Sequence, residues 1–167
     1  MYSNSLKQFR SYRTTLIETE AVNQTAIDII ANDTNISDTE RESLIKSRIG
    51  QGSFRFALLK KYHGACVVTG ITLKNLLIAS HIKPWAVSSN KERLSAENGL
   101  ILSANYDRLF DSGLISFDND KKIIVSRYID ETNKQRLHLT DELTANISLS
   151  PEMKHNLEYH RDVVFLK

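Results

Sequence analysis

The chain has 167 residues, 41% of them hydrophobic and 25% charged, with six Gly, two Pro and a net charge of +2. That balance belongs to one globular domain with an elaborated end, and it excludes a disordered or fibrous chain. The longest apolar run, around Leu76 to Ala79, is far short of the ~18 residues a bilayer span needs. The opening residues MYSNSLKQFRSYR are basic but have no apolar stretch behind them, so no secretory signal is read and a cytoplasmic location is expected. A single cysteine, Cys66, excludes an internal disulfide and any Cys₄ or Cys₂His₂ zinc site, so no structural zinc is expected.

Charge is spread unevenly. Residues 48–113 hold nine Lys and Arg against four Asp and Glu, while the segments on either side are slightly acidic. A basic middle suits a phosphate-binding surface and equally suits a solvated charged face.

In chain order, Leu6, Phe9, Leu16, Ile17, Ile27 and Ile30 recur at helical spacing and predict one or two helices over 6–30. Ser37-Asp38-Thr39-Glu40 is a capping box, which predicts a helix through about Arg48. Gly50 and Gly52 end that helix in this reading. Ser53 then caps another, whose apolar face is Phe54, Ala57, Leu58 and Tyr62 and whose stop is Gly64. Cys66-Val67-Val68 is short and β-prone. Leu76 to Ile82 reads as a strand that Pro84 must break, Ser88 to Glu97 as a polar loop, and Leu100 to Leu102 as a second strand after an Asn98-Gly99 turn. Ser103 can cap a helix over Ala104–Asp111 that stops at Gly113. A hairpin is predicted from Leu114–Phe117 and Ile123–Ser126, and Ser150-Pro151 opens a last helix to about Val163.

The stretch Cys66–Phe117, with C-V-V-T-G, L-L-I-A-S-H-I-K-P-W, N-G-L-I-L and D-R-L-F-D-S-G-L-I-S-F, resembles the HNH endonuclease family. It is closest in pattern to the branch pairing A-S-H-I-K-P-W with L-F-D-x-G-L-I. Upstream, Arg48-Ile49-Gly50-Gln51-Gly52-Ser53-Phe54-Arg55 is similar to the lead-in of restriction-type members, and Leu157 to Phe165 is similar to their closing helix. The resemblance covers roughly 48–167. It implies an α+β fold with a ββα-metal (His-Me finger) nuclease core, extended by N-terminal helices and a C-terminal helix. Residues 1–47 are read as a helical extension outside it.

Phosphodiester hydrolysis needs a base for water, positive charge for the phosphate, and groups that position the backbone. By the resemblance, His81 is the general base, and an imidazole with an ordinary pKa near 6.5 suits that task near neutral pH. Taken alone, a hydrogen-bonded histidine at a strand end is the commoner meaning. Asn98 matches the middle Asn, which braces the loop carrying the base. Asp107 matches the last position of the motif and is read as the metal ligand, which favours Mg²⁺ or Mn²⁺. Asp111, four residues on, shares its helix face and is a second candidate ligand or a helix-end cap.

The sequence departs from the commonest pattern. Ser80 stands where many members have an Asp ligand, the last letter is Asp107 instead of His, and the zinc-binding cysteine pairs are absent. Candidates for phosphate contact are Arg48, Gln51, Arg55, Lys83 and Arg108. Trp85, the lone tryptophan, reads more readily as a core residue than as a stacking platform. The reading is a restriction-type DNA endonuclease using one divalent cation, acting as a monomer or a homodimer. Two alternatives stand beside it: a DNA-binding module of the same fold that does not cut, and a nuclease for RNA or single strands.

Overall fold

The computed structural model describes residue 21 and residues 24–35, 37–140 and 142–167. The chain divides into two compact units, Met1–Ala57 and Leu58–Lys167. The prediction for 6–30 falls largely outside the described residues; within them, 24–31 are helical and form α1.

The capping box forms as its residues dictate. Glu40 N–H bonds the Ser37 hydroxyl at 3.3 Å, and the Glu40 carboxylate accepts the Ser37 N–H at 3.0 Å. These bonds hold the exposed Glu40 carboxyl below its ordinary range. The helix they open, α2 (Asp38–Lys61), continues unbroken through Gly50 and Gly52. The two glycines therefore do not divide it, contrary to the sequence reading. Each costs only ~0.5–1 kcal/mol in a helix interior, and the helix-forming residues on both sides outweigh that.

In the second unit the chain builds a small antiparallel pair. β1 (Leu77–His81) and β2 (Gly99–Ser103) lie in register from Leu77 opposite Ser103 to His81 opposite Gly99. Between them, the segment read as a polar loop contains α3 (Asn90–Leu94). Its capping box is complete: the Glu92 N–H bonds the Ser89 hydroxyl and the Glu92 carboxylate accepts the Ser89 N–H. β2 is buried along its whole length and runs directly into α4 (Ala104–Asp111). Ser103 occupies the N-cap position but makes no capping bond with its side chain. Tyr106, Leu109 and Phe110 turn inward, so α4 packs on the strands and completes a ββα unit.

β3 (Ile115–Phe117) and β4 (Ile123–Val125) form the predicted hairpin. α5 (Glu131–Arg136) follows, capped by Asp130, whose side chain accepts the Asn133 N–H at 2.8 Å. The last helix, α6 (Pro151–Tyr159), is capped by Ser150 and passes into a π-helical turn, His160–Val164. Cys66–Val68 is a turn and not a strand, though Val67 N–H bonds Ile101 O at the edge of β2. Leu58, Ile82, Leu100, Ile101, Phe110, Phe117, Met153 and Leu157 form the core of this unit. The fold is α+β, as expected.

Three polar bridges fasten α6 to the turn that precedes β2. The Ser150 hydroxyl donates to the Glu97 carboxylate at 2.6 Å, Asn156 Nδ2 donates to Glu97 O at 3.2 Å, and the Ser95 hydroxyl donates to Glu152 at 2.6 Å. Lys61 also pairs with Glu97 at 2.7 Å. The consequence is that the segment ending at Asn98 is held from outside as well as by its own strand.

Candidate active site

His81 and Asn98 lie at the same end of the β1–β2 pair, and Asp107 sits on α4, which packs on both strands. His81 ends β1 and is half-buried. Its Nε2 lies 3.0 Å from Arg93 O. A carbonyl only accepts, so Nε2 carries the proton and donates, and the basic lone pair is on Nδ1. Burial holds the imidazole pKa below its ordinary value, with the Arg93 charge acting in the same direction.

Asn98 is fully buried at the start of β2. Its Oδ1 accepts the Lys83 N–H at 2.8 Å, and its Nδ2 faces Lys83 O, Glu92 O and the Ser88 hydroxyl at 3.2–3.3 Å. Its backbone carbonyl takes the Ile82 N–H at 3.0 Å. The loop that leaves His81 is thus tied to one side chain.

Asp107 is half-buried on α4, and the Ser80 side chain hydrogen-bonds its carboxylate. Burial raises the Asp107 pKa and the neighbouring Asp111 raises it further, against the opposing Ser80 bond. Asp111 is exposed at the end of α4, 4.0 Å from the Arg108 guanidinium. Among the described residues, no three His, Cys, Asp or Glu side chains gather into a metal cage. The donors present nevertheless suit a hard divalent ion, which needs only one or two carboxylates and fills its shell with water and phosphate oxygens. A half-buried carboxylate with a like charge beside it is a place where a cation relieves an existing electrostatic cost.

The remaining candidates divide. Lys83 is already balanced by Glu92 at 2.7 Å and lies over the Tyr159 ring at 5.5 Å. Arg108 is exposed beside the two carboxylates. Arg48, Gln51 and Arg55 lie on α2 in the other unit; Gln51 is exposed, and the two arginines are half-buried. Trp85 is not a core residue: it is half-exposed, with the His81 ring edge-on at 5.4 Å and the Arg93 guanidinium over it at 4.8 Å. Arg93 escaped the sequence reading, although Ser89-x-x-Glu92 signals the helix that carries it.

The model of the HNH endonuclease family matches residues 66–118. The match spans β1, β2, α4 and β3, and therefore His81, Asn98, Asp107 and Asp111, and it supports a nuclease. The chain is also similar to a solved modification-dependent TagI restriction endonuclease, at 20% identity and a TM-score of 0.39, covering 63% of this chain. The chain spans 35% of that protein. No curated protein matches it.

Proposed function

We propose that this chain is a metal-dependent endonuclease that hydrolyses DNA phosphodiester bonds, with His81 as the general base. The observation that carries the reading is the Nε2–H bond to Arg93 O, which makes Nδ1 the basic nitrogen of the ring. Nδ1 takes a proton from a water that attacks phosphorus in line, and the bond from phosphorus to the 3′ oxygen breaks. The ends left are a 5′-phosphate and a 3′-hydroxyl. Burial lowers the His81 pKa, which favours the neutral imidazole that can accept that proton.

Asn98 fixes the loop that carries Arg93 and so keeps the imidazole in its tautomer and orientation. A divalent cation, Mg²⁺ or Mn²⁺, held by Asp107 with Asp111 and the Ser80 hydroxyl reaching it through water, would supply positive charge to the phosphate and the leaving oxygen. Arg108 beside it, with Arg48, Gln51 and Arg55 on α2, would contact the DNA backbone. One such centre cuts one strand, so a double-strand break requires a second protomer or a second encounter. We assign the protein to restriction of foreign DNA on the strength of its sequence resemblance.

The test is conversion of supercoiled plasmid, modified and unmodified, with Mg²⁺, Mn²⁺ or chelator. Cation-dependent cutting by the wild type, lost in Asp107→Ala, is the expected result. A protein that shifts DNA in a gel and cuts it under none of these conditions is a binding module instead. Preference for single strands or RNA in competition with duplex would overturn the substrate assignment.

A further inference from the structure

Arg93 performs two tasks at once. Its carbonyl receives the His81 Nε2–H, while its side chain is held against the Trp85 ring. Nε donates to Trp85 O at 3.0 Å, Nη1 donates to Asn90 Oδ1 at 3.2 Å, and the guanidinium carbon lies 4.8 Å from the centre of the Trp85 ring. The His81 ring also meets Trp85, edge-on at 5.4 Å between ring centres.

Among the described residues, no carboxylate balances this charge. The obvious one, Glu92, is taken by Lys83 at 2.7 Å and by the Ser89 N–H at 2.7 Å. Holding an arginine in one rotamer costs side-chain entropy. That cost is offset where an anion arrives: a guanidinium already fixed by Nε and by stacking has N–H groups left over to serve as a fork for phosphate oxygens.

We propose that the Arg93 side chain binds a non-bridging oxygen of the phosphate that is cut, while its carbonyl orients the base that activates the water. Residue 93 thus joins phosphate binding to base alignment through one α-carbon. The inference rests on the nuclease reading above and deepens it.

The experiment measures duplex binding across a range of NaCl concentrations in the His81→Ala protein, alone and combined with Arg93→Gln or Arg93→Lys. Each phosphate neutralised contributes about 0.9 to the slope of log affinity against log salt. Arg93→Gln is expected to weaken binding about tenfold and to flatten the slope by about one, while Arg93→Lys keeps the slope. In the His81 protein, single-turnover cutting falls about 100-fold or more with Arg93→Gln and about tenfold or more with Arg93→Lys, which keeps the charge and loses the fork. Emission from Trp85, the one tryptophan, together with thermal unfolding, reports whether the loop is intact. Unchanged affinity and slope in Arg93→Gln, with the His81 protein still cutting DNA, overturns the Arg93 assignment and leaves the nuclease reading in place. A His81 protein that neither binds nor cuts duplex removes both. If Arg93→Gln does not fold, Arg93→Lys decides: cutting at the full rate overturns the assignment, and a tenfold loss upholds it.

Discussion

The Asn98 side chain grips a single residue by both of its backbone groups: Oδ1 accepts the Lys83 N–H at 2.8 Å, and Nδ2 donates to Lys83 O at 3.3 Å. Because Asn98 is fully buried, its removal leaves the Lys83 N–H without an acceptor away from water. Asn98→Ala is therefore expected to cost about 2–4 kcal/mol, the range for one or two buried polar groups left unmade. Urea denaturation measures it. Asn98→Asp keeps the acceptor but sets a carboxylate against the Lys83 and Glu92 carbonyls, so it should be no more stable than Asn98→Ala.

His160 gives the fold an acid-sensitive point. Nε2 lies 3.1 Å from Phe110 O and must donate to it, which leaves Nδ1 to accept from the Ser116 hydroxyl at 3.0 Å. The neutral ring stacks on Phe110 at 3.8 Å. Burial lowers its pKa to about 4, with Arg161 adding to the effect and Asp111 opposing it. The unfolded chain takes up this proton near pH 6.5 and the folded one only near 4, so stability falls as pH drops through that window. The loss is about 3 kcal/mol by linkage. His160→Gln, which cannot titrate, should lack this part of the acid slope in denaturation curves taken from pH 7 to 4.

The C-terminal turn closes on Gly113, just past the end of α4. Gly113 has φ +70°, and a Cβ there would lie 2.1 Å from Val164 O, while Gly113 O accepts the Leu166 N–H at 2.9 Å. Gly113→Ala combines a left-handed backbone with a clash against backbone, and roughly 2 kcal/mol or more of destabilisation is expected. The drop in Tm measures it. Since α4 carries Asp107, cutting should fall further than the loss of folded protein explains.

Asp107→Asn keeps the size of the side chain and removes its charge. The half-maximal Mg²⁺ concentration for plasmid cutting should rise at least ~10-fold, the lower end for weakened metal ligation. Ser80→Ala, which removes a hydroxyl that bonds Asp107, should give a smaller rise in the same titration.

Where the candidate residues fall in the fold was legible in the sequence because local rules place the elements that carry them. His81 at the end of β1, Asn98 before β2 and Asp107 within α4 follow from apolar runs bounded by turn residues. Gly50 and Gly52 misled because a glycine's cost in a helix is small against the rest of a 24-residue helix. α3 was hidden in a segment that looked merely polar, although its capping box was there to read. The Arg93–His81 bond was out of reach for a different reason: the acceptor is a backbone carbonyl, which every residue has, and only the folded loop brings it to Nε2. Trp85 was misjudged because an aromatic beside Pro gives no sign of whether one face will be covered by a guanidinium.

The central claim is that His81 Nδ1 takes the proton, and the pH dependence of single-turnover DNA cutting at saturating cation tests it most directly. The account predicts an acidic limb with unit slope and a midpoint below 6.5, the side to which burial moves His81. His81→Ala should lose both the limb and about 10²–10⁴-fold in rate, the usual worth of a positioned base. Cutting by His81→Ala at the wild-type rate, with the same limb, would contradict it.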